Sequence, residues 1–273
     1  MPATSPSLRA EYREAIALIA RAVAALERRN IRSPILVGGA AVEFYTGGAI
    51  TTGDFDFVTP YREEFFEELE RVGFRRPGQG EISRALFHPS SGISVEVVSG
   101  QLMDGRADNE RLVVVRLRDG ALRVIPIEDV IADRIGQALA GSRIDERMRN
   151  QAIRLYQLAG GVDRSYLDRR IAEEASDGHL WRHWRHGVVR IIDFENHERE
   201  LAARKAALGF SGYDHVMRND GARRTPEKRA ILRELKRMGS PFLEGVDVDE
   251  GMGNVGLSSP EAQHNYQPRK KEG

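Results

Sequence analysis

The chain has 273 residues, of which 41% are hydrophobic and 30% charged, with 41 basic and 41 acidic side chains. This balance is typical of a globular protein with one large or two small domains, and a net charge of zero gives no global attraction to nucleic acid or membrane. Because the chain has no cysteine, a disulfide framework, a thiolate zinc site and a cysteine nucleophile are excluded.

The N-terminal segment MPATSPSLRAEYREA is polar and contains no apolar stretch of the kind that a secretory signal needs. No apolar run approaches the roughly 20 residues that span a bilayer. Together with the lack of cysteine, these features predict a cytoplasmic protein with no membrane partner.

Residues 8–29 are predicted to form the first helix, because apolar side chains recur three and four positions apart along them. A buried strand follows at ILVGG, and then a short helix at AAVEFY that Gly47 and Gly48 end. The segment DFDFVT predicts a second strand, and YREEFFEELERVGF predicts an amphipathic helix.

Two β-hairpins are predicted next. The first joins RALFH to ISVEVV through PSSG, and the second is RLVVVRLRDGALRVI with Asp119-Gly120 as its turn. Three helical patterns follow Pro126, and two of them open with an Asp, at Asp145 and Asp163. The sequence therefore predicts an α+β fold, with a mixed sheet, flanking helices and a helical C-terminal region.

This pattern divides the chain into four predicted segments. They are an α/β core at 1–125, a helical bundle that completes the core at 126–176, a helical extension at 177–244 and a disordered tail at 245–273. The tail is assigned from its content of Gly, Asp, Asn, Ser and Pro, which cannot bury enough apolar surface to fold.

Two acids, Asp54 and Asp56, stand one residue apart in the second predicted strand. Because side chains alternate along a strand, the acids share one face, while Phe55 and Phe57 share the other. Two close carboxylates repel each other, and a divalent cation relieves the repulsion. Mg²⁺ prefers oxygen ligands and is usually held by one or two carboxylates together with substrate phosphates. A strand edge with solvated acids is the alternative interpretation.

A two-ion site for nucleotidyl transfer commonly uses a further acid, and Glu96 is the candidate. It lies between Val95 and Val97 in an apolar strand, where an unpaired Glu is disfavoured. The exposed face of a half-buried hairpin is the alternative. Upstream, Gly38-Gly39 ends a strand and opens a helix, a turn that lets backbone N–H groups approach phosphates.

The ordered set Gly38-Gly39, Asp54-Phe55-Asp56 and Glu96 resembles the motif of the nucleotidyltransferase superfamily of the DNA polymerase β type. The resemblance covers roughly residues 30–100 and extends more loosely to about 176, where the helices look like those of small stand-alone bacterial members, including toxin-type and abortive-infection-type nucleotidyltransferases. It implies a nucleotidyltransferase-like fold and transfer of NMP from an NTP to a hydroxyl acceptor, which could be tRNA, a protein or a small molecule such as an antibiotic.

The resemblance also implies residue roles, with Mg²⁺ or Mn²⁺ as cofactor and, for a toxin, a cognate antitoxin as partner. The implied catalytic residues and metal ligands are Asp54, Asp56 and Glu96. The implied nucleotide-binding residues are Gly38, Gly39, Thr52 and Arg134. Arg134 is the nearest match to a helical Lys of toxin-type members and could hold phosphate bidentately; a surface helix residue is the alternative. The Ser that usually follows the glycine is absent, since Ala40 follows Gly39.

Other function classes stay open at this point. A non-catalytic nucleotide-binding or toxin–antitoxin interaction protein is compatible with Ala40, and a purely structural α/β protein would bind no Mg²⁺–NTP. The segment HLWRHWRH (179–186) could be a zinc site, an RNA-stacking surface or an amphipathic helix that docks by its tryptophans. Residues 218–237 are locally basic, which predicts either an RNA contact or a solvated helix face.

Overall fold

The computed structural model of the protein describes residues 8–76, 85–175 and 190–209 and the single residues 233, 236 and 237. The strands are β1 (Ile35–Val37), β2 (Asp54–Val58), β3 (Ala85–His88), β4 (Ile93–Ser99), β5 (Val113–Leu117), β6 (Gly120–Val124) and β7 (Arg190–Asp193). The α-helices are α1 (Ala10–Arg28), α2 (Gly38–Thr46), α3 (Arg62–Arg71), α4 (Ile127–Leu139), α5 (Glu146–Leu158), α6 (Arg164–Ala175) and α7 (Phe194–Ala207). Short 3₁₀ helices occupy Leu102–Gly105 and Asn109–Arg111. None of the helices in these ranges is long and apolar enough to cross a lipid bilayer.

The predicted α+β fold with a mixed sheet and flanking helices is confirmed. The seven strands form one sheet in the order β3-β4-β2-β1-β6-β5-β7. β2 pairs antiparallel with β1 and parallel with β4, and β1 pairs parallel with β6. Both predicted hairpins are present as antiparallel pairs, β3 with β4 and β5 with β6.

The turn of the second hairpin differs from the prediction by one residue. Arg118 and Asp119 form the turn, and Gly120 is the first residue of β6. A Cβ at Gly120 would lie 2.5 Å from the carbonyl oxygen of Ala20 in α1. The glycine is therefore explained by the close packing of α1 on the start of β6.

The phenylalanines of β2 lie at the centre of the core. Phe55 and Phe57 are fully buried. Phe55 packs on Tyr12 of α1 with ring centroids 4.8 Å apart, and Phe57 packs on Phe65 of α3 at 5.1 Å. α1 and α3 therefore cover this face of the sheet, and strand alternation leaves the two acids of β2 on the opposite face.

The predicted helical extension at 177–244 is not helical at Arg190–Asp193. These residues form β7, which pairs in parallel with β5 at the edge of the sheet. The short apolar pair Ile191-Ile192 has β-branched side chains that suit a strand, and pairing with the valine-rich β5 stabilises it. The motif at 179–186, nearly all of the basic segment 218–237 and the tail at 245–273 lie outside the described residues.

α7 packs on the C-terminal part of α2. Phe194 and His197 stack on Phe44, with ring centroids 6.3 Å and 4.3 Å away. Nζ of Lys205 donates a hydrogen bond to the carbonyl of Gly47 at 2.8 Å. Burial lowers the pKa of Lys205, and it lowers the pKa of His197 to about 4. The chain beyond the helical bundle therefore contributes to the same packed body as α2.

His197 is expected to make the free energy of unfolding depend on pH. Its pKa falls from 6.5 to about 4 on folding, so the unfolded state binds more protons between these values. Stability is therefore lost as the pH falls through this window, by about 2–3 kcal/mol. His197→Phe retains an aromatic ring on Phe44 and removes the titrating group.

Urea unfolding of the wild type and His197→Phe at pH 7 and pH 4.5 measures this contribution. Acidic groups titrate in both proteins. The difference between the two proteins in the loss of unfolding free energy from pH 7 to pH 4.5 is therefore the contribution of His197. The wild type should lose more stability on acidification than the variant. Equal losses would contradict the assignment.

Candidate active site

The turn between β1 and α2 lies against the acid face of β2. Gly38 has a φ of +62°, in the left-handed region, and a Cβ at this position would lie 2.3 Å from Oδ2 of Asp56. A Cβ at Gly39 would lie 2.7 Å from Oγ1 of Thr52. The two glycines therefore let the N-terminus of α2 approach β2 as closely as it does. This contact is an addition to the phosphate-binding role that the sequence suggests for them.

The two acids of β2 are partly exposed and share the face opposite the phenylalanines. Oδ1 of Asp54 accepts a hydrogen bond from Oγ of Ser94 on β4 at 2.6 Å. Glu96 stands directly beside Asp56 in the parallel register of β2 and β4, so its side chain leaves the same face of the sheet. The three predicted acids are thus neighbours on two adjacent strands.

A cavity of about 460 Å³ lies in front of Asp54 and Asp56. This volume is within the roughly 300–1,000 Å³ that is usual for small-molecule sites. Its walls come from β2, the start of α2, the segment 99–103, α4 and the start of α5. The charged residues that line it are Asp54, Asp56, Asp133, Arg134, Asp145 and Arg147. Gly38, Gly39 and Thr52 also line the cavity.

α4 and α5 bring two arginines to this cavity. Arg134 is only 7% exposed, which contradicts its interpretation as a surface helix residue, and its Nη1 donates to Asp133 at 2.7 Å. Arg147 lies in the first turn of α5, where its N–H donates at 3.0 Å to the N-cap carboxylate of Asp145. Sequence reasoning missed Arg147. The Asp145 cap places it at the start of a helix, but only the packing of α5 decides which cavity that helix end faces.

Asp54 and Asp56 offer a divalent cation two carboxylates and not a complete set of protein ligands. Within 8–76, 85–175 and 190–209, no group of three or more His, Cys, Asp or Glu side chains is arranged to hold a metal ion. Glu96 is beside Asp56 in register but is not among the residues that line the cavity. Asp54 and Asp56 suit Mg²⁺ or Mn²⁺, because such ions are usually held by one or two carboxylates and completed by phosphates and water.

Ala40, where the motif usually has Ser, belongs to the core. It is fully buried, and its carbonyl accepts a hydrogen bond from the hydroxyl of Tyr12 at 2.9 Å. The cavity wall at this turn is made by Gly38 and Gly39 instead. Because residue 40 faces the core, Ala in place of the usual Ser takes no side-chain hydroxyl away from the cavity.

The solved structures to which the chain is similar include nucleotidyltransferase-like proteins. One is an antigenic nucleotidyltransferase-like protein from Paracoccidioides brasiliensis, with 17% identity, a TM-score of 0.42 and coverage of 62% of this chain and 89% of that one. Another is the antibiotic-resistance factor ANT(2'')-Ia, with 18% identity, a TM-score of 0.38 and coverage of 58% and 90%. No protein-family model matches the chain, and no curated protein matches it. The likeness is one of fold, and no residue role is transferred from either structure.

Proposed function

We propose that the chain is a metal-dependent nucleotidyltransferase that transfers NMP from an NTP to a hydroxyl group. The observation that carries the proposal is the pair Asp54 and Asp56 on one face of β2, with the N-terminus of α2 beside Asp56 and a cavity of about 460 Å³ in front. Arg134 and Arg147 line the same cavity, and their guanidinium groups would bind phosphate oxygens there.

Asp54 and Asp56 would hold Mg²⁺ or Mn²⁺ together with the phosphates of the nucleotide. When bound there, the ion would neutralise phosphate charge and polarise a phosphoryl oxygen. The protein supplies further donors. The N-cap residue of α2 makes no side-chain cap hydrogen bond, so the N-terminus of α2 would favour an anion. The guanidinium groups of Arg134 and Arg147 would add charge-assisted hydrogen bonds.

In the proposed reaction, the oxygen of the acceptor hydroxyl attacks the α-phosphorus and forms a new P–O bond. The bond from that phosphorus to the bridging oxygen breaks, and pyrophosphate leaves with its electron pair. Glu96, beside Asp56 in register but outside the cavity lining, would accept the proton of the hydroxyl through one water molecule. The proposed cellular role is that of a toxin in a toxin–antitoxin pair, with tRNA, a protein or a small molecule as acceptor.

A transfer screen tests the function directly. The full chain is incubated with each labelled NTP, with Mg²⁺ or Mn²⁺, and with total RNA, lysate protein or a panel of antibiotics. We expect label on one class of acceptor, equimolar pyrophosphate release and complete loss of transfer in EDTA. NTP binding by calorimetry with no transfer to any acceptor would favour a non-catalytic nucleotide-binding protein. An absence of Mg²⁺–NTP binding would contradict both functions.

A further inference from the structure

A buried ion pair joins Arg9, the N-cap residue of α1, to Glu43 of α2 next to the candidate active site. Nε of Arg9 donates to Oε1 of Glu43 at 2.5 Å, and Nη2 of Arg9 donates to Oε2 at 3.0 Å. The side chains of Arg9 and Glu43 are 8% and 0% exposed. Burial raises the pKa of Glu43, while the guanidinium of Arg9 and the N–H of Thr52 act in the opposite direction. Because apolar residues of similar volume often stabilise a fold as well as a buried ion pair does, stability alone does not explain this pair.

The ion pair binds the backbone of Thr52 on both sides. The N–H of Thr52 donates to Oε2 of Glu43 at 2.7 Å, and its carbonyl accepts a hydrogen bond from Nη2 of Arg9. Thr52 precedes β2, which begins at Asp54. Arg9 and Glu43 therefore give Thr52 the hydrogen bonds that a neighbouring strand gives to residues inside the sheet.

The side chain of Thr52 carries these contacts on to the first acid. Its Oγ1 accepts a hydrogen bond from the N–H of Asp54 at 3.3 Å and donates to the carbonyl of Asp54 at 3.2 Å. On its other side, Oγ1 lies against Gly39 at the start of α2. Thr52 is therefore held by Arg9, α2 and the start of β2 together, and its hydrogen bonds to Asp54 fix the backbone of that residue.

We propose that Arg9 and Glu43 are positioning residues for the candidate metal site. They hold Thr52, and Thr52 fixes the backbone from which the carboxylate of Asp54 reaches the cavity. Neither Arg9 nor Glu43 is among the residues that line the cavity, so they act through Thr52 and do not touch substrate. The inference rests on the proposed function, because it takes Asp54 as a metal ligand.

Glu198 on α7 provides a matched control. Its buried carboxylate accepts the N–H of Leu8 at 3.2 Å and Nη1 of Arg13 at 2.6 Å. It therefore combines one arginine with one backbone N–H, as Glu43 does. Its contacts hold α7 to α1 and do not involve the segment 51–54. Glu43→Gln and Glu198→Gln each neutralise one buried carboxylate of an ion pair and retain an oxygen that can accept the N–H.

The experiment compares these two variants of the full chain with the wild type by three measurements. They are the urea midpoint, Mn²⁺ affinity in the presence of each of the four NTPs, and hydrogen exchange of the amides in segment 51–54. Both variants should lower the urea midpoint. Only Glu43→Gln should weaken Mn²⁺ binding, by about 10- to 100-fold as for other residues that orient metal ligands, and only it should speed exchange in segment 51–54.

The outcomes separate this inference from the proposed function. Unchanged exchange in Glu43→Gln, or equal weakening of Mn²⁺ binding in both variants, would overturn the positioning role. If only Glu43→Gln shows faster exchange in segment 51–54 and the wild type binds no Mn²⁺ with any NTP, Arg9 and Glu43 position the segment but the proposed function is contradicted. If Glu43→Gln does not fold, Arg9→Lys is measured in the same way, because Lys keeps the charge but cannot bridge Glu43 and the carbonyl of Thr52.

Discussion

Asp56→Asn is expected to lower nucleotidyl transfer by at least about a thousandfold, which corresponds to roughly 4 kcal/mol of lost transition-state stabilisation. Asp56 shares the cavity face of β2 with Asp54 and lies against the backbone of Gly38. Its replacement by a neutral amide of the same shape removes one of two carboxylates for the cation, and a divalent ion supplies several kcal/mol to phosphoryl chemistry. The free energy of unfolding should change little, because the substitution also removes carboxylate repulsion.

The matched control for this variant is Asp119→Asn. Asp119 is exposed in the turn between β5 and β6, so the substitution makes the same change in charge away from the cavity. Steady-state transfer with the acceptor found in the screen should be within twofold of wild type for Asp119→Asn. Asp56→Asn with transfer within tenfold of wild type would contradict the role of Asp56 as a metal ligand.

Gly38→Ala is expected to destabilise the protein by about 2–4 kcal/mol, since a left-handed φ costs a residue with a Cβ about 1–2 kcal/mol and the added carbon clashes with its neighbour. That neighbour is Oδ2 of Asp56, 2.3 Å from the Cβ position. Either the turn or the carboxylate must move. Because a displacement of about 1 Å at reacting groups can cost about 100-fold in rate, transfer should fall at least that far.

Gly53→Ala is the matched control, in the segment that leads into the same strand. A Cβ at Gly53 would meet nothing within 4 Å, so its free energy of unfolding should stay within about 1 kcal/mol of wild type. Urea unfolding and transfer rates are measured for both alanine variants. Similar losses in the two, or full activity of Gly38→Ala, would contradict the close packing of the turn on Asp56.

Elements with strong local signals are predictable from this sequence. The alternation in β2 places its phenylalanines in the core and its acids on the other face, and an Asp at 145 caps α5 as expected. β7 is not predictable in this way. It has four residues at the edge of the sheet, and its strand conformation depends on pairing with the distant β5. The β-branched pair Ile191-Ile192 suits a strand, but two residues are too short a local signal to predict one.

The same distinction between local signals and tertiary packing applies to the residues of the candidate site. Gly38, Asp54 and Asp56 lie within one short stretch, so their order and spacing can be recognised from the sequence alone. Arg147 reaches the cavity only because α5 packs against α2 and α4. Glu43 carries a signal that the sequence does offer, since it is a single acid in the apolar helix AAVEFY. A buried acid implies a partner, but Arg9 and Thr52 can be named as partners only from the structure.

Binding of Mn²⁺ in the presence of NTP tests the central claim most directly, because it requires no knowledge of the acceptor. Electron paramagnetic resonance titrations count free Mn²⁺ for the wild type and for a variant that carries both Asp54→Asn and Asp56→Asn, with each NTP in turn. The wild type should bind Mn²⁺ in an NTP-dependent manner, and the double variant should bind at least about 100-fold more weakly. Equal binding by the two proteins, or no NTP-dependent binding by the wild type, would contradict a metal–nucleotide site at Asp54 and Asp56.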